Sequence, residues 1–490
     1  MGFDERILRD ADTGFHLDLS RSPEDDGAAW AGPIAALAEL EAGAIANPDE
    51  GRQVGHYWLR DAGRAPTPAL RAAIEGTWAG VDALELGDHT DVLLVGIGGS
   101  ALGPQLLRAA LSGPRDPARL HFLDNTDPEG FHRVLGGLDP HRTLSLVVSK
   151  SGGTVETRNG MLATEAWYAA AGTSIAAHGV AITGEGSRLD RHAAGWRARL
   201  PVWDWVGGRT SVTGPVGLVP MALCGWDWRG LLEGARQMDA LTRRPYAGNP
   251  AARLASAWFA GGGGRGDRAL VVEPYRDRLS LLGRYLQQLV MESLGKRLDR
   301  RGEVVHSGLT VYGNKGSTDQ HAFMQQVRDG RDDAFVHFVE TTAQGPASPG
   351  DGGHDASDHL LGFLLGTRAA LEEAGRPSLT IRVPDTGARS LGMLIALFER
   401  AVGLYAERIG INAYHQPGVE AGKRGAKATL AALSRLAEAL DEAPRSAEEL
   451  ASSAGCAPDV AWRVLTHLAA TGRAALTPGE RPSEDRFRRA

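Results

Sequence analysis

Apolar and polar positions alternate in two different rhythms along this chain. Up to residue 90, Ala and Leu recur at helical spacing in "AAWAGPIAALAELEAGAIA" and "PALRAAIEGTWAG", which predicts helices joined by loops. From residue 91 the rhythm changes to short apolar runs of strand length. "VLLVGIG", "RLHFLDN", "LSLVVSK" and "SIAAHGVAIT" form a first series, with helix-like segments between them. A second series follows in "ALVVEPY", "LTVYGN", "FVHFVETT" and "LTIRVP". Strands alternating with helices predict βαβ units, parallel sheets and an α/β fold. Two such domains are expected, dividing near 225–250, followed by a helical tail. In that tail Ser446 and Glu449 form a capping box, Gly455 ends the first short helix, and Pro458 and Gly472 bracket a second.

Length and composition narrow the class. At 490 residues the chain has material for two or three domains, and 42% apolar with 23% charged residues describes an ordinary globular protein. The net charge of -7 lacks the clustered basic excess of a nucleic-acid or membrane-surface binder. The paired helices of the tail resemble a helix-turn-helix, yet from Pro444 onward seven Arg are matched by six Asp or Glu, so structural packing is the preferred reading. Cys224 and Cys456 are the two cysteines, too few for a disulfide framework or a cysteine metal site. The N-terminus has charges where a signal peptide needs an apolar core, and no stretch is apolar for the ~18 residues of a membrane span. A cytoplasmic location is expected.

Candidate chemistry lies at the strand ends. "VLLVGIGGSALG" places Gly96, Gly98, Gly99 and Ser100 between a strand and a helix, where backbone amides suit an anion. With Asp124 ending the next strand a dinucleotide site is conceivable, but Gly-x-Gly-Gly-Ser-Ala lacks the third glycine of that fingerprint. "VSKSGGTVET" follows a later strand of the same sheet. It offers Ser149, Ser151, Thr154 and Thr157 as hydroxyl donors to a phosphate, with Lys150 adding charge. In "RYLQQLVMESLGKRLD" Gln288 and Glu292 fall on one helix face, and Leu289, Val290 and Met291 around them would raise the carboxyl pKa. "GNKGSTDQHAFMQQVRDG" predicts a helix capped by Thr318 or Asp319 with His321 in its first turn, whose positive end favours a neutral imidazole. "VGGRTSVTG" offers Arg209 after paired glycines, and "NAYHQPGVEAGKRG" presents Gln416, Glu420 and Lys423.

Six segments in this order, "GIGGSALGP", "SKSGGTVET", "GGRTSVTG", "EPYRDRLSLLGRYLQQLVMESLGK", "GSTDQHAFMQQ" and "NAYHQPGVEAGK", resemble the glucose-6-phosphate isomerase family over roughly residues 50–430. The chain is also similar to the isomerase half of bacterial chains that join a transaldolase to an isomerase. The resemblance implies two sugar-isomerase (SIS) domains, placed at 51–235 and 236–425, between an N-terminal helical or loop segment at 1–50 and a tail at 426–490. It implies that Ser149, Lys150, Ser151 and Thr154 hold the sugar phosphate, while Gly99, Ser100, Gln288 and Gln416 line the sugar. Glu292 is then the base that moves a proton between C1 and C2, and Arg209 stabilises the cis-enediolate. His321 and Lys423 assist ring opening, with the histidine supplied by the other subunit of a homodimer. No metal and no redox cofactor is implied, because the hydrogen moves within one molecule. Thr210 stands where the family usually has Phe or Tyr, and Leu294 where it usually has Asn. The alternatives are an isomerase of broader specificity, accepting mannose 6-phosphate, and a non-catalytic sugar-phosphate sensor.

Overall fold

The computed structural model describes residues 3–490, except the side chains of residues 3, 4, 419–421 and 423. It divides into two units, residues 1–415 and 416–490.

The first unit is α/β and contains two large sheets and a two-stranded antiparallel ribbon, Lys296–Leu298 with Val304–Ser307. The first sheet is wholly parallel, in the order Arg119–Leu123, Asp91–Val95, Thr143–Ser149, Gly179–Thr183, Ala198–Pro201. Its central strands are buried along their whole length. This is why they read as unbroken apolar runs rather than alternating ones. "SIAAHGVAIT" is split, its first half forming the helical turn Ile175–His178. The second sheet runs Ile7–Asp10, Phe15–Asp18, Ser378–Val383, Ala334–Thr341, Ala269–Pro274, Val311–Tyr312. Its last four strands are parallel, and the first two form a hairpin that joins Ser378–Val383 antiparallel. The N-terminal segment is therefore not only helix and loop, since it closes one edge of this sheet.

One core joins the two sheets. The helix Ala388–Arg408 is buried along nearly its whole length and packs on Trp228–Leu241. The two backbones cross at glycines: a Cβ on Gly392 would come within 2.0 Å of the Leu231 carbonyl oxygen, and one on Gly234 within 1.8 Å of that of Arg389. Beside this crossing lies a buried ion cluster. Asp239 accepts from Arg60 at 2.8 Å and from Arg400 at 2.9 Å, Glu399 pairs with Arg60, and Glu41 with Arg243 and Arg400. Each buried cation thereby has a carboxylate, as burial demands.

The second unit contains the helices Pro417–Ala439, Ala447–Ala454 and Pro458–Ala470 and the antiparallel pair Ala474–Thr477 and Arg486–Arg489. Residues 425 and 426, the expected start of the tail, both lie inside the first of these helices. The Ser446–Glu449 capping box is present and Gly455 takes the left-handed conformation that ends the helix. Leu436, Leu450, Leu465, Leu468 and Phe487 make a separate small core. No helix among the described residues is long and apolar enough to cross a membrane.

Candidate active site

Ligands of open parallel sheets bind at the carboxyl ends of the strands, and there the sequence motifs of the first unit converge. Gly98–Ser100 forms a short turn after Asp91–Val95. A Cβ on Gly99 would lie 2.2 Å from the backbone of Gly208, so two bare backbones touch where the loops meet. Ser211 ties them, its hydroxyl donating to the carbonyls of Gly208 at 2.7 Å and Gly99 at 3.4 Å. The Gln288 amide reaches the same place, 3.1 Å from where a Cβ on Gly98 would stand.

Glu292 and Arg209 form the centre. The helix Leu282–Leu286 widens into a π-helical stretch, Gln287–Glu292, a local irregularity frequent at functional sites. The Glu292 carboxylate sits 3.2 Å from Nη1 of Arg209, the two side chains being 23% and 5% exposed. Arg209 is held by its other nitrogens, with Nε donating to the Ser293 hydroxyl at 2.7 Å and Nη2 to the Ala413 carbonyl at 2.6 Å. Leu289 and Val290 point into the core and Met291 is exposed. The partner facing Glu292 is thus a guanidinium rather than the expected apolar wall. Sequence reasoning passed over Lys296, four residues on. It is buried, its Nζ donates to the Glu292 carbonyl at 2.7 Å, and burial, with Arg209 adding, draws its pKa down to about 8.

The hydroxyl-rich loop follows Thr143–Ser149. Ser149 donates to Thr154 at 3.4 Å, and the Gly153 amide donates to the Ser151 hydroxyl at 3.1 Å. Thr154 caps the sixteen-residue helix Val155–Ala170 without a side-chain bond to its amides. This leaves hydroxyl and amide donors at the positive end of a long helix. Ser149, Gly152, Thr154 and Thr157 also line a cavity of about 380 Å³ with Arg158 and Arg188, two cations absent from the expected set. Lys150 points elsewhere. Its ammonium donates to the carbonyls of Asp204 and Val206, at 2.9 Å each, and burial draws its pKa down to about 8. It braces the segment leading to Arg209.

The remaining expected residues lie on other segments of the chain. His321 ends the short turn Thr318–His321, exposed, and the α-helix starts only at Met324. His321 therefore precedes the α-helix instead of lying in its first turn, as the sequence had predicted. Asp319 is not the helix cap either: it is buried and accepts from the amides of Asn314 and Lys315. Gln416 opens the second unit as the cap of Pro417–Ala439, and the Lys423 side chain, like that of Glu420, lies outside the described residues. Asp124 accepts from Gln105 at 2.7 Å. Among the described residues no cluster of His, Cys, Asp or Glu is arranged to hold a metal ion.

A buried guanidinium locked against a carboxylate, beside a hydroxyl-rich anion loop, is suited to drawing a proton from carbon next to a phosphosugar carbonyl. Residues 69–352 and 365–447 match the family model of phosphoglucose isomerase. The chain belongs to the phosphoglucose isomerase family. It is 52% identical to a glucose-6-phosphate isomerase of Geobacter sulfurreducens, over 95% of this chain and 93% of that one. It is 49% identical to that of Synechococcus elongatus, over 97% and 95%. The fold is similar to the crystal structure of a glucose-6-phosphate isomerase from Chlamydia trachomatis, with a TM-score of 0.81 and 26% identity over 88% of this chain and 91% of that one. Against this phosphoglucose isomerase background the two unusual residues are both buried. Leu294 is fully buried, and Thr210 is buried with its hydroxyl 3.2 Å from the Gly207 carbonyl.

Proposed function

We propose that this phosphoglucose isomerase family member interconverts glucose 6-phosphate and fructose 6-phosphate, in glycolysis and gluconeogenesis, by proton transfer through a cis-enediolate. Glu292 carries the proton between C1 and C2. Removing it places negative charge on the carbonyl oxygen, and Arg209 is the cation that meets this charge. The hydroxyls of Ser149, Ser151 and Thr154, with the helix amides behind them, hold the phosphate; Lys150, from the same loop, braces the segment leading to Arg209. Gly99, Ser100 and Gln288 line the sugar. Remote binding of the phosphate fixes the geometry at the reacting carbons. His321, exposed and reaching no catalytic partner among the described residues of its own chain, acts in a neighbouring subunit of a homodimer, where with Lys423 it assists ring opening, while Gln416, like Gln288, lines the sugar. The setting is the cytoplasm, and the two sheets correspond to two SIS domains.

The observation that carries this reading is the 3.2 Å contact of Glu292 with a buried Arg209. A non-catalytic sensor needs the anion loop and has no use for this pair. The test follows fructose 6-phosphate turnover through a coupled dehydrogenase. Glu292→Gln should lose about two to four orders of magnitude in kcat, the usual contribution of a general base, with phosphosugar binding retained. Turnover within a few-fold of the parent would reject Glu292 as the base.

A further inference from the structure

Glu273 is a buried carboxyl group that the proton-transfer chemistry does not use. It lies on the strand Ala269–Pro274, 1% exposed, on the same face as Val271 and Tyr275. Phe338 is its neighbour on the adjoining strand. The apolar cluster on this face also includes Met324 and Leu364. Neither oxygen of Glu273 receives a hydrogen bond, and no cation among the described residues pairs with it. The groups that face it are the Asp319 carboxyl group, within hydrogen-bonding reach, and the phenols of Tyr275 and Tyr312. Two carboxylates cannot share such a site without a proton between them. The oxygens of Asp319 already accept from the Asn314 amide at 2.6 Å, its side-chain nitrogen at 3.1 Å and the Lys315 amide at 3.1 Å. Glu273 has no such donors, so the proton belongs on Glu273.

Asp319 holds together residues 313–321, the segment that ends at His321. The segment is docked on the end of the Glu273 strand. The Gly316 amide donates to the Pro274 carbonyl at 3.2 Å, and a Cβ on Gly316 would strike the Tyr275 ring at 2.0 Å. Gln320 donates to the Tyr275 hydroxyl at 3.1 Å and to Thr367. We propose that Glu273 is a positioning residue whose protonated side chain donates a hydrogen bond to Asp319 and so fixes the segment that presents His321. The inference rests on the catalytic reading of His321. Burial, and the neighbouring Asp319 after it, push the Glu273 pKa up to about 9. The segment is consequently held at neutral pH and loosened as pH rises through about 9, when two carboxylates come to face each other.

The test uses the full-length protein with Glu273→Gln, which donates without titrating, and Glu273→Leu, which cannot donate. Infrared difference spectra at pH 7 should show one buried carboxylic acid in the parent that is lost in E273Q. In kinetics, E273L should lower kcat/KM by up to about a hundredfold, the scale of a displaced catalytic group. E273Q should keep the neutral rate and abolish the loss of activity that begins near pH 9. A parent without a protonated acid at pH 7, or an E273Q profile with the parent's alkaline limb, would overturn the proposal even if E273L failed to fold. His321→Ala with full activity would instead remove the reading beneath it, and the infrared band would still report the pair.

Discussion

Lysine 296 shows what a single side chain costs and supplies beside the Glu292 carboxylate. It is buried next to Arg209 and Glu292, so its ammonium strengthens the positive field at the place where the proposed chemistry develops negative charge. The cost appears in stability. With a folded pKa of about 8 against an ordinary 10.5, the unfolded chain holds this proton between those values while the folded chain has lost it. Stability contributed by this group therefore rises as pH climbs from about 8 to 10.5, and below about 8 the penalty is constant. Lys296→Met should remove that alkaline rise. Urea midpoints taken across this pH range would show it, and an unchanged slope in the variant would mean that Lys296 titrates normally. The same scale explains Lys150. Its charge suggested a phosphate ligand, but the two carbonyls of Asp204 and Val206 capture the ammonium.

At the scale of elements, the site depends on loops that meet backbone to backbone. A methyl group on Gly99 would stand 2.2 Å from the Gly208 carbonyl group and 2.8 Å from the Arg209 nitrogen, and backbone cannot rotate aside as a side chain can. Gly99→Ala should destabilise the protein by about 1–3 kcal/mol, the usual cost of overpacking, and lower kcat more than stability alone explains, because Arg209 moves with its loop. Denaturation and steady-state kinetics on one preparation would separate the two effects; wild-type kinetics would show the contact to be looser than this geometry. The strands of these sheets were legible where both faces are buried, as in Asp91–Val95 and Thr143–Ser149, because burial writes unbroken apolar runs. Ala198–Pro201 was not, since an edge strand of four residues with only Leu200 buried writes almost nothing. The N-terminal hairpin did carry a period of two, Phe15, Leu17 and Leu19 being buried, but four-residue strands fall below what helical patterning nearby lets one see. Among site residues, Glu292 and Arg209 were legible from their motifs. Arg158 and Arg188 were not, because only the folded chain brings two surface-like arginines to the cavity beside the hydroxyl-rich loop.

The whole molecule raises a different question, namely how many chains make one site. Within a single chain Glu292 and Arg209 are in contact, whereas His321 stands exposed on its own docked segment without a hydrogen bond to either. A site completed by the His321 of a second copy fits both facts. Symmetry then makes a definite prediction. In a mixed dimer of Glu292→Gln and His321→Ala chains, one site carries both defects and the other carries neither. Each variant alone should be nearly inactive. Unfolding and refolding the two together at equal concentration makes half of the dimers mixed, each with one intact site, so activity should return to about a quarter of the wild-type level. Separately refolded variants, mixed afterwards without exchange, should stay inactive. Failure of the co-refolded mixture to recover activity, with mixed dimers demonstrated by a tag on one chain, would place Glu292 and His321 of each site on the same chain. The exposed His321 would then have to reach its substrate by a movement of residues 313–321, which the contacts of Asp319 and Gln320 oppose.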